Sequence, residues 1–192
     1  MTEFSLVAIG TSTGGPKALH EVIRGLPEGL NTAVMIVQHM SPGFTVSLAQ
    51  RLDSISRFRV KVAEHGDEVQ KNHAYLAPED HHMRVRSENG KLVIRLDQSP
   101  AVNGHRPSVD VMMQSVAMIQ APKVGVIMTG MGNDGANGMK ELKKSGASTI
   151  AESSETCVVY GMPKAAIQLG AIDHEVPLHQ IVSFVVRALN KK

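Results

Sequence analysis

The sequence contains no tryptophan and one cysteine, and only 3% of its 192 residues are aromatic. So few aromatic side chains argue against a stacking platform for single-stranded nucleic acid. The lone Cys157 excludes an internal disulfide framework and favours a reducing compartment. The first residues show neither a signal-peptide pattern nor an apolar run long enough to cross a membrane. We therefore expect a cytoplasmic protein with no membrane insertion.

Neither sign of charge predominates in the sequence. The formal net charge is +2 and the basic residues are scattered, so the sequence has no electrostatic footprint for binding nucleic acid. Apolar residues make up 42% of the chain and charged residues 20%, which is typical of a globular protein. A chain of this length can bury one core, and we expect residues 1–192 to form a single domain.

Residues 4–15, FSLVAIGTSTGG, combine an apolar run with a glycine-rich turn. The run predicts a strand buried on both faces of a parallel sheet, and Pro16 suits the first turn of a following helix. Ser12 would then lie between a strand end and a helix N-terminus, which favours negative charge. The turn fits the G-x-S-x-G pattern of a nucleophilic serine. It equally fits an anion or nucleotide loop, or a plain tight turn.

The rest of the chain repeats the order of strand, turn and helix. We predict helices over residues 17–25, 44–55, 107–119, 163–169 and 181–189, the second one with Ser41 as its N-cap. Residues 129–146, TGMGNDGANGMKELKKSG, predict a second glycine-rich turn that enters a further helix. Strands are predicted over residues 33–37, 58–62, 74–76, 124–128, 148–151 and 157–160. Asn89-Gly90 between residues 83–86 and 92–96 predicts a hairpin. These elements indicate an α/β fold: a doubly wound, mostly parallel sheet with helices on both faces and an antiparallel hairpin at its edge.

Ser12, His39 and Asp134 each follow a predicted apolar strand. Parallel strands present their carboxyl ends at one edge of the sheet, so these side chains can converge there. His39 by itself would more often be a structural histidine, and Asp134 by itself a helix N-cap. Together the three supply a nucleophile, a base and a carboxylate that orients the base.

Six blocks of sequence carry a resemblance to a known family. They are IGTSTGGP (residues 9–16), QHM (38–40), APEDHHM (77–83), RPSVD (106–110), TGMGNDGANG (129–138) and CVVYGMPKAA (157–166). In this order they closely resemble the catalytic domain of the CheB-type chemotaxis protein-glutamate methylesterases. The resemblance extends over nearly the whole chain.

The resemblance implies a serine hydrolase that removes methyl esters from glutamate side chains of chemoreceptor cytoplasmic helices and releases methanol. It also implies deamidation of receptor glutamines. By motif, Ser12 resembles the nucleophile, His39 the base and Asp134 the orienting carboxylate. Met131 resembles an oxyanion-hole donor through its N–H, and Thr13 a residue that helps to hold the histidine. No cofactor or metal is expected.

The family pattern is not followed everywhere. Typical members carry a receiver domain that regulates the catalytic domain, whereas we expect residues 1–192 to contain the catalytic domain alone. The segment AESSETCVVYGMP, residues 151–163, differs from the family's amide-rich form and could change contacts in the substrate groove. A non-receptor methyl ester remains a possible substrate, and an inactive anion-binding module remains the alternative function.

Five further residues have weaker interpretations. His81 and His82 are adjacent and would face opposite ways on an extended chain, so a surface or groove role is favoured over a metal site. Cys157 follows no glycine turn and is interpreted as packing rather than as a nucleophile. Arg106 and Ser108 precede a helix and would either line the groove or, for Ser108, cap that helix.

Overall fold

A computed structural model describes residues 4–190 of the chain. Its strands are β1 (Ser5–Thr11), β2 (Thr32–Gln38), β3 (Arg59–Val62), β4 (His73–Leu76), β5 (His82–Glu88), β6 (Lys91–Asp97), β7 (Lys123–Ile127), β8 (Ser148–Glu152) and β9 (His174–Val176). Its helices are α1 (Gly15–Gly25), α2 (Thr45–Ile55), α3 (Val109–Ala117), α4 (Ala136–Lys144), α5 (Met162–Gln168) and α6 (Leu178–Asn190).

Seven strands form one sheet in the order β3-β4-β2-β1-β7-β8-β9, and every neighbouring pair is parallel. The chain leaves the central strand β1 toward β2 and later returns to its other side at β7. The direction of winding therefore reverses beside β1. Sheets of this class bind ligands beyond the carboxyl ends of the strands at such a point.

Helices cover both faces of the sheet because its central strands are buried on both sides. Every residue of β1 and β2 is buried. Alternate residues of β1 enter different cores: Leu6 and Ala8 pack with α3, α4 and α5, whereas Val7 and Ile9 pack with α1, α2 and α6. Successive side chains of this apolar strand thus alternate between the two faces, and a doubly wound sheet requires apolar side chains on both. The predicted fold class is confirmed.

The predicted hairpin forms, and β5 and β6 are antiparallel. Within the described part of the chain, residues 4–190, they make a separate two-stranded sheet and are not hydrogen-bonded to the strands of the seven-stranded sheet. The hairpin packs against α3 instead, where the N–H of Val85 donates to Oγ of Ser115 at 2.9 Å. Its apolar side chains, Met83, Val85, Leu92 and Ile94, join the core on that face of the large sheet.

Two local predictions need correction, and one strand was not predicted. Ser41 is not the N-cap of α2, because Phe44 holds that position. Glu79 accepts hydrogen bonds from the N–H groups of Gly43, Phe44 and Thr45, where the chain enters the helix. Residues 157–160 form no strand and make one isolated bridge, between Tyr160 and Gly130. β9 was not predicted, since two of its three residues are exposed and no apolar run marks it.

Within residues 4–190, none of the helices is both long enough and apolar enough to cross a membrane.

Candidate active site

Ser12 follows β1 directly and lies in the turn before α1. Its N–H donates to the carbonyl oxygen of Thr129 at 2.9 Å, which fixes the turn to the segment after β7. Gly14 caps α1 with a φ of 83°, and a Cβ there would lie 2.6 Å from the Val158 side chain. Backbone conformation and space both select glycine at this position. The turn thus places Ser12 between the end of the central strand and the positive N-terminus of α1.

His39 is the first residue after β2 and lies beside Ser12. Thr11 and Gln38 are the last register partners of β1 and β2, so Ser12 and His39 are each one residue beyond that pair. Nε2 of His39 lies 2.7 Å from Oδ2 of Asp134, and these two side chains are 7% and 0% exposed. The structure therefore brings His39 and Asp134 into direct contact from segments 95 residues apart.

The remaining ring nitrogen of His39 is available for proton transfer. Nδ1 is buried and has no hydrogen-bond partner within the part of the chain that the structure describes. The Ser12 hydroxyl therefore does not donate to His39 here, although the two residues are neighbours. Nucleophile and base often come within hydrogen-bonding distance only when substrate is bound. The contact between Ser12 and Nδ1 stays a prediction.

Asp134 lies in the turn before α4 and accepts hydrogen bonds from the N-terminus of α3. The N–H groups of Val109 and Asp110 donate to it at 2.7 and 3.1 Å, and Oγ of Ser108 donates at 2.8 Å. Burial would raise the pKa of Asp134, but these bonds and that from His39 outweigh burial and lower the pKa to about 2. An ionised Asp134 holds the proton of His39 on Nε2 and leaves Nδ1 as the basic atom.

Asp110 makes the reciprocal contact. It belongs to the first turn of α3 and accepts hydrogen bonds from the N–H groups of Gly135 and Gly138, at the start of α4, at 3.0 and 2.6 Å. The side chain of Asn103 donates to both carboxylates, at 2.8 Å to Asp110 and 3.2 Å to Asp134. Burial and the nearby charge of Asp134 raise the pKa of Asp110, against the hydrogen bond from Gly138. Each helix N-terminus thus holds the carboxylate supplied by the other segment.

A second histidine covers the ring of His39. The two imidazoles of His39 and His105 are stacked, with centroids 3.6 Å apart and planes 5° from parallel. Burial lowers the pKa of His105, and a positive charge on His39 lowers it further. His105 was not predicted to be part of the site, because no periodic pattern in the sequence relates a histidine in a loop to the residue that it contacts.

Met131 lies in the turn between β7 and α4, and its side chain is 71% exposed. Within residues 4–190, neither a backbone nor a side-chain acceptor takes its N–H. The preceding residue is held firmly: Gly130 donates to the carbonyl of Val159 and accepts from the N–H groups of Gly161 and Met162. The Met131 N–H is therefore free to bind an oxyanion.

Thr13 is exposed, and its side chain makes no hydrogen bond within the described residues. Its carbonyl oxygen accepts from Oγ1 of Thr129 at 2.9 Å. The structure thus places Thr13 beside the nucleophile without bringing its hydroxyl into contact with His39. Its role in holding the histidine stays a prediction.

A family model described as CheB methylesterase matches residues 7–185. The chain belongs to the CheB methylesterase family. It is 50% identical over 184 residues to the protein-glutamate methylesterase/protein-glutamine glutaminase of Pyrococcus abyssi, covering 95% of this chain and 50% of the relative. A protein of the same name from Geobacillus kaustophilus is 51% identical over 189 residues, covering 97% of this chain and 54% of the relative.

The fold is also that of a solved structure of the CheB family. The crystal structure of the Thermotoga maritima CheB methylesterase catalytic domain aligns with a TM-score of 0.93 and 43% identity, covering 97% of this chain and 99% of that one. By contrast, the chain spans about half the length of the curated relatives it matches.

Among the weaker candidates of this CheB-family chain, His82 departs from its predicted role, whereas Ser108 and Arg106 take theirs. His82 is fully buried, donates from Nε2 to the carbonyl of Pro100 at 3.0 Å and accepts at Nδ1 from the N–H of Ser108. The surface or groove role predicted for it is therefore wrong. Ser108 is buried and caps α3, accepting from Val111 N–H at 3.4 Å. Arg106 lines a surface hollow together with Gln38 and Met40, and its Nε donates to Oδ1 of Asp80 at 3.0 Å.

The segment that departs from the family pattern meets the site at one exposed side chain. Glu152 is fully buried and accepts from the N–H of Thr129 at 2.8 Å, so it anchors the turn after β7. Val158 is 65% exposed and packs beside Gly14. Burial and the charge of Glu152 raise the pKa of Cys157 to about 12, which disfavours a thiolate nucleophile.

Two shallow hollows flank Ser12 and His39. One, of about 250 Å³, is lined by Gly14, Thr129 and Val158 among others. The other, of about 340 Å³, is lined by Gln38, Met40 and Arg106 among others. The polar site therefore lies on an open surface between them.

Proposed function

We propose that this chain is a serine hydrolase that cleaves methyl esters of glutamate side chains in chemoreceptors and releases methanol. We also propose that it deamidates receptor glutamines. The observation that carries the proposal is the His39–Asp134 contact of 2.7 Å, which leaves Nδ1 of His39 without a partner among residues 4–190. Ser12 stands at the matching position beyond the neighbouring strand. The names of the family relatives support the same chemistry.

The reaction begins at the ester carbonyl. Oγ of Ser12 attacks the carbonyl carbon while Nδ1 of His39 takes the hydroxyl proton, and ionised Asp134 stabilises the imidazolium. The developing oxyanion accepts a hydrogen bond from the Met131 N–H, which has no acceptor among residues 4–190. The turn that carries Thr13 offers further N–H groups at the N-terminus of α1.

Collapse of the tetrahedral intermediate breaks the bond to the leaving group. His39 returns its proton to the departing methoxide, which leaves as methanol, or to the departing amine of a glutamine, which leaves as ammonia. Water then attacks the acyl-enzyme, again with His39 as base. Its products are free Ser12 and a glutamate side chain, so each cycle consumes one ester or amide and one water.

The open site fits a side chain presented by a protein surface. Both flanking hollows are shallow, and three exposed apolar side chains, Phe44, Met131 and Val158, stand near the ends of the strands. We propose that chemoreceptor cytoplasmic helices are the substrate and that the reaction takes place in the cytoplasm. Where the full-length protein carries a receiver domain, we propose that domain as a second partner.

The test is methanol release from a methylated receptor fragment. Ser12→Ala should leave the circular dichroism unchanged and abolish release. Ser54→Ala, an exposed serine on α2, is the control and should retain full release. Retained release by folded Ser12→Ala would refute the proposal. Release from a small methyl ester but not from the receptor would keep the chemistry and assign a different protein substrate.

A further inference from the structure

The carboxamide of Gln38 joins the two segments that carry Ser12 and His39. Nε2 of Gln38 donates to the carbonyl oxygen of Ser12 at 2.8 Å and to that of His39 at 2.7 Å. Gln38 is 5% exposed, so water competes little for these bonds. Both N–H groups of the carboxamide are used, one on each segment.

These two bonds continue the sheet beyond the point where its backbone ladder ends. The last backbone hydrogen bond between the two strands runs from the N–H of His39 to the carbonyl of Thr11 at 3.0 Å. Past it, within residues 4–190, only the Gln38 carboxamide links the Ser12 turn directly to the His39 segment through hydrogen bonds. The carbonyl of Ser12 also accepts from the N–H of Gly15 at 2.8 Å, which ties the same atom to the start of α1.

Gly15 makes room for the carboxamide. A Cβ at Gly15 would lie 1.9 Å from Oε1 of Gln38 and 2.5 Å from Oγ1 of Thr11. No atom beyond hydrogen therefore fits between the first residue of α1 and the amide. Space, rather than backbone conformation, requires glycine at this position.

We propose that Gln38 is a positioning residue that sets the separation between the Ser12 hydroxyl and Nδ1 of His39. The proposal rests on the hydrolase reaction proposed above. Gln38 acts through the two backbone carbonyls and does not touch the reacting atoms. A displacement of about 1 Å between reacting groups lowers the rate by about 100-fold. The two hydrogen bonds of Gln38 should therefore affect kcat.

The test compares Gln38→Met with Gly15→Ala. Gln38→Met keeps the side-chain size and removes both donors, whereas Gly15→Ala keeps every hydrogen-bonding group and pushes the carboxamide aside. Gln50→Met, an exposed glutamine on α2, is the matched control. We expect kcat for methanol release to fall about 10- to 100-fold in both test variants, with KM within about two-fold of wild type. The rate of reaction with a serine-directed phosphonate should fall by the same factor.

The outcomes separate this inference from the proposed function. Wild-type kcat in folded Gln38→Met or Gly15→Ala, or a rise in KM at unchanged kcat, would overturn the positioning role. A wild-type protein that neither releases methanol nor reacts with the phosphonate would instead refute the hydrolase itself. If Gln38→Met fails to fold by circular dichroism, Gly15→Ala decides, because it leaves the buried donors and acceptors chemically intact.

Discussion

Replacement of Asp134 by asparagine should invert the tautomer of His39. Oδ2 of Asp134 accepts from His39 and Val109, and Oδ1 accepts from three donors, Ser108 Oγ among them. The NH2 group of an asparagine would face two donors at the Oδ2 position but three at the Oδ1 position. We therefore expect it at the Oδ2 position, where it would donate to Nε2 of His39. The ring proton must then move to Nδ1, the atom that we propose accepts the proton of Ser12.

The expected losses are large in both activity and stability. A base held in the wrong tautomer lowers kcat by about 10⁴-fold in comparable triads. The pKa of Asp134 falls from 3.8 to about 2, which corresponds to about 2 kcal/mol of stability from the ionised form. Because the folded-state pKa is depressed, this contribution is complete above the unfolded-state pKa and is lost as pH falls toward 2.

Methanol release and urea unfolding measure these two effects. Asp134→Asn should release methanol about 10⁴-fold more slowly and unfold with about 2 kcal/mol less free energy at neutral pH. The stability difference from wild type should shrink between about pH 4 and pH 2. Asp67→Asn, which removes a partly exposed ion pair with Lys61, should keep its kcat. A folded Asp134→Asn protein with kcat within about ten-fold of wild type would refute the tautomer argument.

Two further predictions concern neighbours of the site. In His39→Gln, the pKa of His105 should rise toward its usual value, because the positive charge of the stacked His39 ring is removed. NMR titration measures this pKa, and an unchanged value would contradict the contact. Gly14→Ala should lower the free energy of urea unfolding by about 1–3 kcal/mol more than Gly29→Ala, since both have positive φ but only Gly14 faces Val158; equal losses would contradict this.

The sheet and the strand-end positions of Ser12, His39 and Asp134 could be predicted from the sequence for one physical reason. Strands buried on both faces must be apolar throughout, so β1, β2 and β7 stand out as runs that end at polar residues. Because parallel strands end at one edge of the sheet, the segments that carry Ser12, His39 and Asp134 could be assigned to one region before any coordinates.

Contacts made by side chains across loops were not accessible in this way. Asp110 and Asn103 hold Asp134, and His105 covers His39, but no periodicity relates these partners along the chain. The bonds of Gln38 depend on which way a carboxamide points at the end of a strand, which tertiary packing decides. The docking of the hairpin on α3 was not predicted for the same reason, since its turn sequence predicts only the pairing of β5 with β6.

The central claim is that Ser12 is a nucleophile activated by His39. It is tested most directly by treating the protein with a serine-directed phosphonate and locating the adduct by mass spectrometry. We predict one adduct, on the peptide that contains Ser12, and its loss in folded His39→Gln. An unmodified wild-type protein, an adduct at another residue, or equal labelling of His39→Gln would contradict the claim.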